Sequence, residues 1–146
     1  MIVLDTNVVS ELMRPVPAPQ VEAWLAACDG SQVFFTTIGE AELRYGVALL
    51  PAGRRRTRLS QLIDQLLEHE FRNRVLPFDS QAAHSFAVIA AKRRGAGRPI
   101  SQLDCLIAAI ARARGFAVAT RNVQDFKGCG IDVVDPWGGS ARGPRG

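Results

Sequence analysis

The chain has 146 residues, 47% of them hydrophobic and 22% charged, which fits one domain with a real core and excludes a disordered chain. No apolar run approaches the roughly 20 residues that span a bilayer. Three scattered cysteines, Cys28, Cys105 and Cys129, match neither a disulfide framework nor a zinc site. The formal charge is +4, with 16 arginines among 18 basic residues. That balance suits a polyanionic substrate, because arginine grips phosphate through two parallel hydrogen bonds.

Ile2-Val3-Leu4 reads as a short strand ending in the turn Asp5-Thr6-Asn7, whose residues are good helix caps. Asp5 and Glu11 interrupt the first 15 residues, so they are not a secretory leader and the expected compartment is the cytoplasm. A short helix runs through Leu12 and stops before Pro15, and Pro15, Pro17 and Pro19 make a stiff connector. Val21, Trp24, Leu25 and Cys28 recur at helical spacing. Val33-Phe34-Phe35 is a second strand. Thr37 with Glu40 matches a capping box for a helix in which Ala41, Tyr45 and Ala48, with Leu49 adjoining, make the apolar stripe. Pro51-Ala52-Gly53 breaks that helix, and Leu59, Leu62, Ile63, Leu66 and Leu67 mark the second arm of a helical hairpin.

Val75 to Phe78 is extended, and Asp79 or Ser80 caps a helix carrying Ala83, Phe86, Ala87, Ile89 and Ala90. After the loop Gly95 to Pro99, Ser101 caps a helix holding Asp104, Ile107, Ala108 and Ala111 that ends at Gly115. Phe116 to Ala119 is a strand followed by Thr120-Arg121-Asn122, and Ile131 to Val134 is the last strand. Strands alternating with helices imply a three-layer α/β sandwich with a mostly parallel central sheet and a protruding helical hairpin. The domain is expected to span residues 1–137, and the glycine- and arginine-rich tail 138–146 is expected to be disordered. Asp5, Thr120 and Asn122 directly follow strands, on the sheet edge where ligands gather.

Asp5 directly follows the apolar run Met1 to Leu4, Glu42 sits within an apolar helical segment, and Asp104 opens another. Read singly, each has a plain structural role: Asp5 as a cap, Asp104 as a first-turn acid, Glu42 as a surface ion-pair partner. Brought together, they form an all-oxygen pocket suited to Mg²⁺ or Mn²⁺ and to metal-assisted phosphodiester chemistry. Mutual repulsion among them calls for a cation. His69 and His84 have no evident partner for acid–base work.

The segments MIVLDTNVVSE, AELRYGVALL, LDCLIAAIARARG and VATRNVQDF, in this order and spacing, resemble the PIN-domain endoribonucleases, above all the VapC/FitB-type toxins of bacterial toxin–antitoxin pairs. The likeness runs from residue 1 to the segment Asp135 to Trp137. It implies a PIN-like fold and Asp5, Glu42 and Asp104 as catalytic metal ligands for Mg²⁺ or Mn²⁺. It also implies single-stranded RNA cut by an activated water to leave a 5′-phosphate and a 3′-hydroxyl. Where the family often carries a fourth acid, this chain has Asn122, and Asp125 is a candidate substitute. Thr6, Asn7 and Thr120 are the expected supporting residues, Asn7 by orienting Asp5, while Glu11 and Glu40 read as ordinary helix residues. The resemblance further implies a homodimer and a cognate antitoxin, a small DNA-binding protein whose tail fills the groove at the hairpin. Arg54, Arg55, Arg56 and Arg58 form one basic cluster, and Lys92, Arg93, Arg94 and Arg98 another that is placed for phosphate contact. Arg112, Arg114 and Arg121 are candidates for the groove rim. Two alternatives stay open on the residues alone. One is a haloacid-dehalogenase-like phosphatase, which needs an acid where Asn7 stands; the other is a non-catalytic RNA- or protein-binding module.

Overall fold

Ile2–Leu4 forms β1, which is buried along its whole length, as a strand covered on both faces must be. In the computed structural model, which describes residues 1–138, β1 is the middle of a five-stranded sheet. The other strands are β2 (Val33–Thr36), β3 (Val75–Leu76), β4 (Ala117–Ala119) and β5 (Val133–Val134). Their order is β3-β2-β1-β4-β5 and every pairing is parallel, with Ile2 opposite both Val33 and Ala117. The chain therefore moves outward on one side through β2 and β3, then returns to the other side of β1. That reversal opens a crevice at the carboxyl ends of β1 and β4.

Parallel strands need crossovers, and the helices that supply them coat both faces of the sheet. On one face lie α1 (Thr6–Leu12), α2 (Pro19–Ala26), α3 (Thr37–Ala48) and α4 (Arg54–Gln65). They pack Val8, Val9, Trp24, Leu43 and Ile63 against Ile2, Leu4 and Phe35. On the other face, α5 (Ser80–Gly95), α6 (Gln102–Arg114) and α7 (Val123–Phe126) pack Ile89, Ile107, Ala108 and Phe126 against Val3 and Val118. The switch of face between Ile2, Val3 and Leu4 is the two-residue period of a strand. A three-layer sandwich with a helical hairpin, α3 and α4, is the result. Arg44 joins the arms of that hairpin, bonding Glu40 of α3 at 2.8 Å and Asp64 of α4 at 2.9 Å.

Several local expectations shift. The cap of α3 is Thr36, not Thr37: as the last strand residue it is still extended, and its hydroxyl accepts from Gly39 N at 3.0 Å. Glu40, freed from any capping box, pairs forward with Arg44. The stripe Ala41, Tyr45 and Ala48 faces solvent, with Tyr45 68% exposed; Gly39, Leu43 and Val47 face inward instead. Phe35 decides this, since a Cβ at Gly39 would lie 2.4 Å from its ring, so only a glycine face lets α3 approach β2. On α5, capped by Asp79, Ala82, Ile89 and Arg93 are buried while Ala83 and Ala87 are exposed. Pro19, assigned to the connector, is the first residue of α2, where its fixed φ is already helical. The strands β4 and β5 begin one and two residues later than expected. The tail expected to be disordered lies, from residue 139 on, outside the described residues.

Candidate active site

The backbone of Asp5 stays extended past β1, and its N–H still donates to Ala119 O at 2.8 Å. The side chain is therefore delivered to the crevice between β1 and β4. Oδ1 accepts from Thr6 N at 2.8 Å, making Asp5 itself the cap of α1. Oδ2 accepts from Thr120 Oγ1 at 2.7 Å, across the sheet from the end of β4. Asn7 Nδ2 donates to Thr120 Oγ1 at 3.4 Å, and so does Asn122 N at 3.0 Å. Asn7 thus reaches Asp5 through Thr120. Thr6 is not the cap; its hydroxyl donates to Glu42 Oε1 at 2.7 Å, so one residue holds two of the three acids, one by its backbone and one by its side chain.

Asp104 enters from the first turn of α6, where its N–H donates to the capping Ser101 hydroxyl at 3.3 Å. Burial pushes Asp5 up to about 6; the Thr120 and Thr6 hydrogen bonds oppose this, and the charges of Asp104 and Glu42 add to it. Asp104 is also raised, by burial first, with repulsion from Asp125 partly offset by the positive charge of Arg93. Asp104 and Glu42 thus both act on Asp5, and Asp125 acts on Asp104. Among the described residues, however, no three acidic, histidine or cysteine side chains stand close enough to form a ready-made metal cage. The acids sense each other without yet converging on one point.

Asn122 is exposed at the start of α7, makes no side-chain capping bond, and offers its backbone N–H to Thr120. Glu11 is no ordinary helix residue. It is buried on α1 and accepts from Arg14 at 3.0 and 3.2 Å and from Ala18 N at 3.1 Å, fastening the proline-rich connector. Arg14 holds its carboxyl below the usual range. The only hint in the sequence is an acid three residues before an arginine and a connector short of partners for its N–H groups. Arg93, grouped with exposed phosphate-binding residues, is buried, whereas Lys92, Arg94 and Arg98 are exposed. Arg112 is taken up by Cys129 O at 3.2 Å, and Arg121 lies over the Trp137 ring at 5.2 Å.

A groove of about 990 Å³ runs from Thr6 and Glu42 between α1 and the hairpin. Leu59, Leu62 and Leu66 form its apolar side, and Arg14, Arg55 and Arg58 also line it. Of the apolar positions on α4 itself, Ile63 alone is fully buried, which leaves the rest as groove wall.

The PIN domain family model matches residues 2–128. Plasmid stability protein StbB of Pseudomonas syringae pv. tomato is 43% identical over 137 residues, 94% of this chain and 99% of that protein. VapC ribonuclease Y4jK of Sinorhizobium fredii is 42% identical over 137 residues, again 94% of this chain and 98% of that one. Among solved structures, FitAB bound to an IR36 DNA fragment superposes with a TM-score of 0.88 at 39% identity, covering 94% of this chain and 96% of the other. A match of this extent in sequence and in fold sets aside the haloacid-dehalogenase alternative: the chain belongs to the PIN domain family.

Proposed function

We propose that the chain is an endoribonuclease and the toxin of a toxin–antitoxin pair, using Mg²⁺ or Mn²⁺ held by Asp5, Glu42 and Asp104. One observation carries the reading. Thr6 ties Asp5 and Glu42 together at the carboxyl edge of the sheet, and Asp5 there feels the charge of Asp104. Oxygen-only donors with unrelieved repulsion suit a hard divalent cation. When bound, such an ion makes water a better nucleophile and offsets charge growing on the scissile phosphate. The chain's own residues then divide the remaining work. Thr120, backed by Asn7, fixes the rotamer of Asp5. Glu42, held by Thr6, orients the attacking water and accepts its proton. Asp125 supplies the negative charge that Asn122 lacks. VapC ribonuclease Y4jK, by its name, and the FitAB complex support this reading.

The same reading seats a segment of a cognate antitoxin in the groove beside Thr6 and Glu42, where its apolar side meets Leu59 and Leu62. It also includes a homodimer in the cytoplasm and a domain ending at residue 137. No helix among the described residues is long and apolar enough to cross a membrane.

The test is incubation of the purified protein with end-labelled single-stranded RNA, with Mg²⁺ or Mn²⁺ and with EDTA. Internal cuts leaving 3′-hydroxyl ends are expected, and EDTA, Asp5→Asn and Asp104→Asn should each abolish them while far-UV circular dichroism stays unchanged. Cleavage surviving EDTA sinks the metal requirement; cleavage surviving both substitutions sinks the site.

A further inference from the structure

Arg93 is 8% exposed and sits among Asp104, Cys105 and Cys129, close enough that its charge acts on all three. A guanidinium cannot shed its proton to escape burial, so its buried N–H groups need acceptors. None of the ion pairs among the described residues involves it. Its partners are backbone carbonyls. Nε donates to Arg98 O at 2.7 Å, while Arg98 N donates back to Arg93 O at 2.9 Å, closing a ring that folds the loop after α5 onto the helix. A second nitrogen, Nη1, donates to Lys127 O.

These two carbonyls belong to the two segments that carry acids. Beyond Arg98 the chain runs in three residues to Ser101, the cap that receives Asp104 N. Lys127 directly follows α7, which carries Asp125. Asp104 and Asp125 repel each other, and nothing in either segment bonds the two carboxyls together. We propose that Arg93 is a positioning residue for the cation site: by clamping Arg98 O and Lys127 O on one rigid fork, it fixes the spacing of the segments bearing Asp104 and Asp125. The inference rests on the metal-site reading above. Arg93 acts through geometry. Its charge alone would oppose a bound cation, so removing it has opposite consequences under the two views.

The experiment is calorimetric titration of the metal-free full chain with Mn²⁺ alone, for wild type, Arg93→Lys and Arg93→Met, each at a temperature where circular dichroism shows it folded. Arg93→Met should bind about tenfold or more weakly, in the range typical of lost supports behind metal ligands. Arg93→Lys keeps the charge but lacks the planar fork that fixes both carbonyls at one spacing, and should fall between. Equal or tighter binding by Arg93→Met overturns the inference. If Arg93→Met does not fold, Arg93→Lys decides: weaker binding than wild type supports the clamp, and equal binding overturns it. Wild-type protein that takes up no Mn²⁺ overturns the metal-site reading and this inference with it; variants matching a binding wild type overturn this inference alone.

Discussion

Asp5 is held in a place that costs the fold. Its carboxyl is raised from 3.8 to about 6 because it is buried beside other acids. Between those values the folded chain keeps a proton that the unfolded chain has lost. Stability therefore falls as pH rises from about 4 to about 6, then stays level, with a total loss of about 3 kcal/mol by the usual conversion. Urea melts in EDTA should show this fall for wild type and a clearly smaller one for Asp5→Asn, in which Asp104 remains raised. At pH 7.5 the asparagine variant should be more stable by about 1–2 kcal/mol, the difference being one weakened hydrogen bond. A variant less stable than wild type at that pH contradicts the burial argument. Thr6 makes a second case. Thr6→Val should keep the helix, lower stability by about 1 kcal/mol and cut nuclease rate about tenfold or more, since Glu42 loses its anchor. Thr6→Ser should restore most of that rate; failure to do so removes Thr6 from the supporting role.

The helices show why periodicity alone misleads. On α3 two stripes compete, Ala41-Tyr45-Ala48 and Gly39-Leu43-Val47, and both are apolar. Only the ring of Phe35 chooses between them, and Phe35 lies on another element. Gly39→Ala should thus destabilise by about 1–3 kcal/mol through overpacking. Gly46→Ala, on the same helix with open space around it, should stabilise by about 0.5–1 kcal/mol. Thermal melts of the pair test the assignment, and equal effects would refute it. The strand-to-turn junctions, in contrast, were legible. Apolar runs ending in Asp5 and Thr120 need only local rules to place those residues at the sheet edge. The hydrogen bond between them spans 115 positions and had no signal beyond that placement. Nor could composition separate a buried Arg93 from its exposed neighbours Lys92 and Arg94, because burial there depends on carbonyls supplied by two later loops.

Across the molecule, stability is distributed unevenly. The strand β1 is buried throughout and α6 buries six residues, Cys105 and Ile107 to Ala111, whereas α4 buries Ile63 alone. Amides of α4 should therefore exchange with solvent deuterium by local opening, well before those of α6. Mass-spectrometric exchange showing the two helices equally protected would contradict that division. The alternating βα plan was readable from the sequence because each crossover left its own caps and breaks. Which side of the hairpin faces solvent was not, since the close approach of Gly39 to Phe35 on β2 sets it. One last consequence follows from the outermost strands. β3 and β5, the two rims of the sheet, are two residues long each. An incoming polypeptide finds almost no ladder there to zip onto. Strand addition at either rim is therefore disfavoured, and stacking of copies edge to edge is discouraged by the architecture itself.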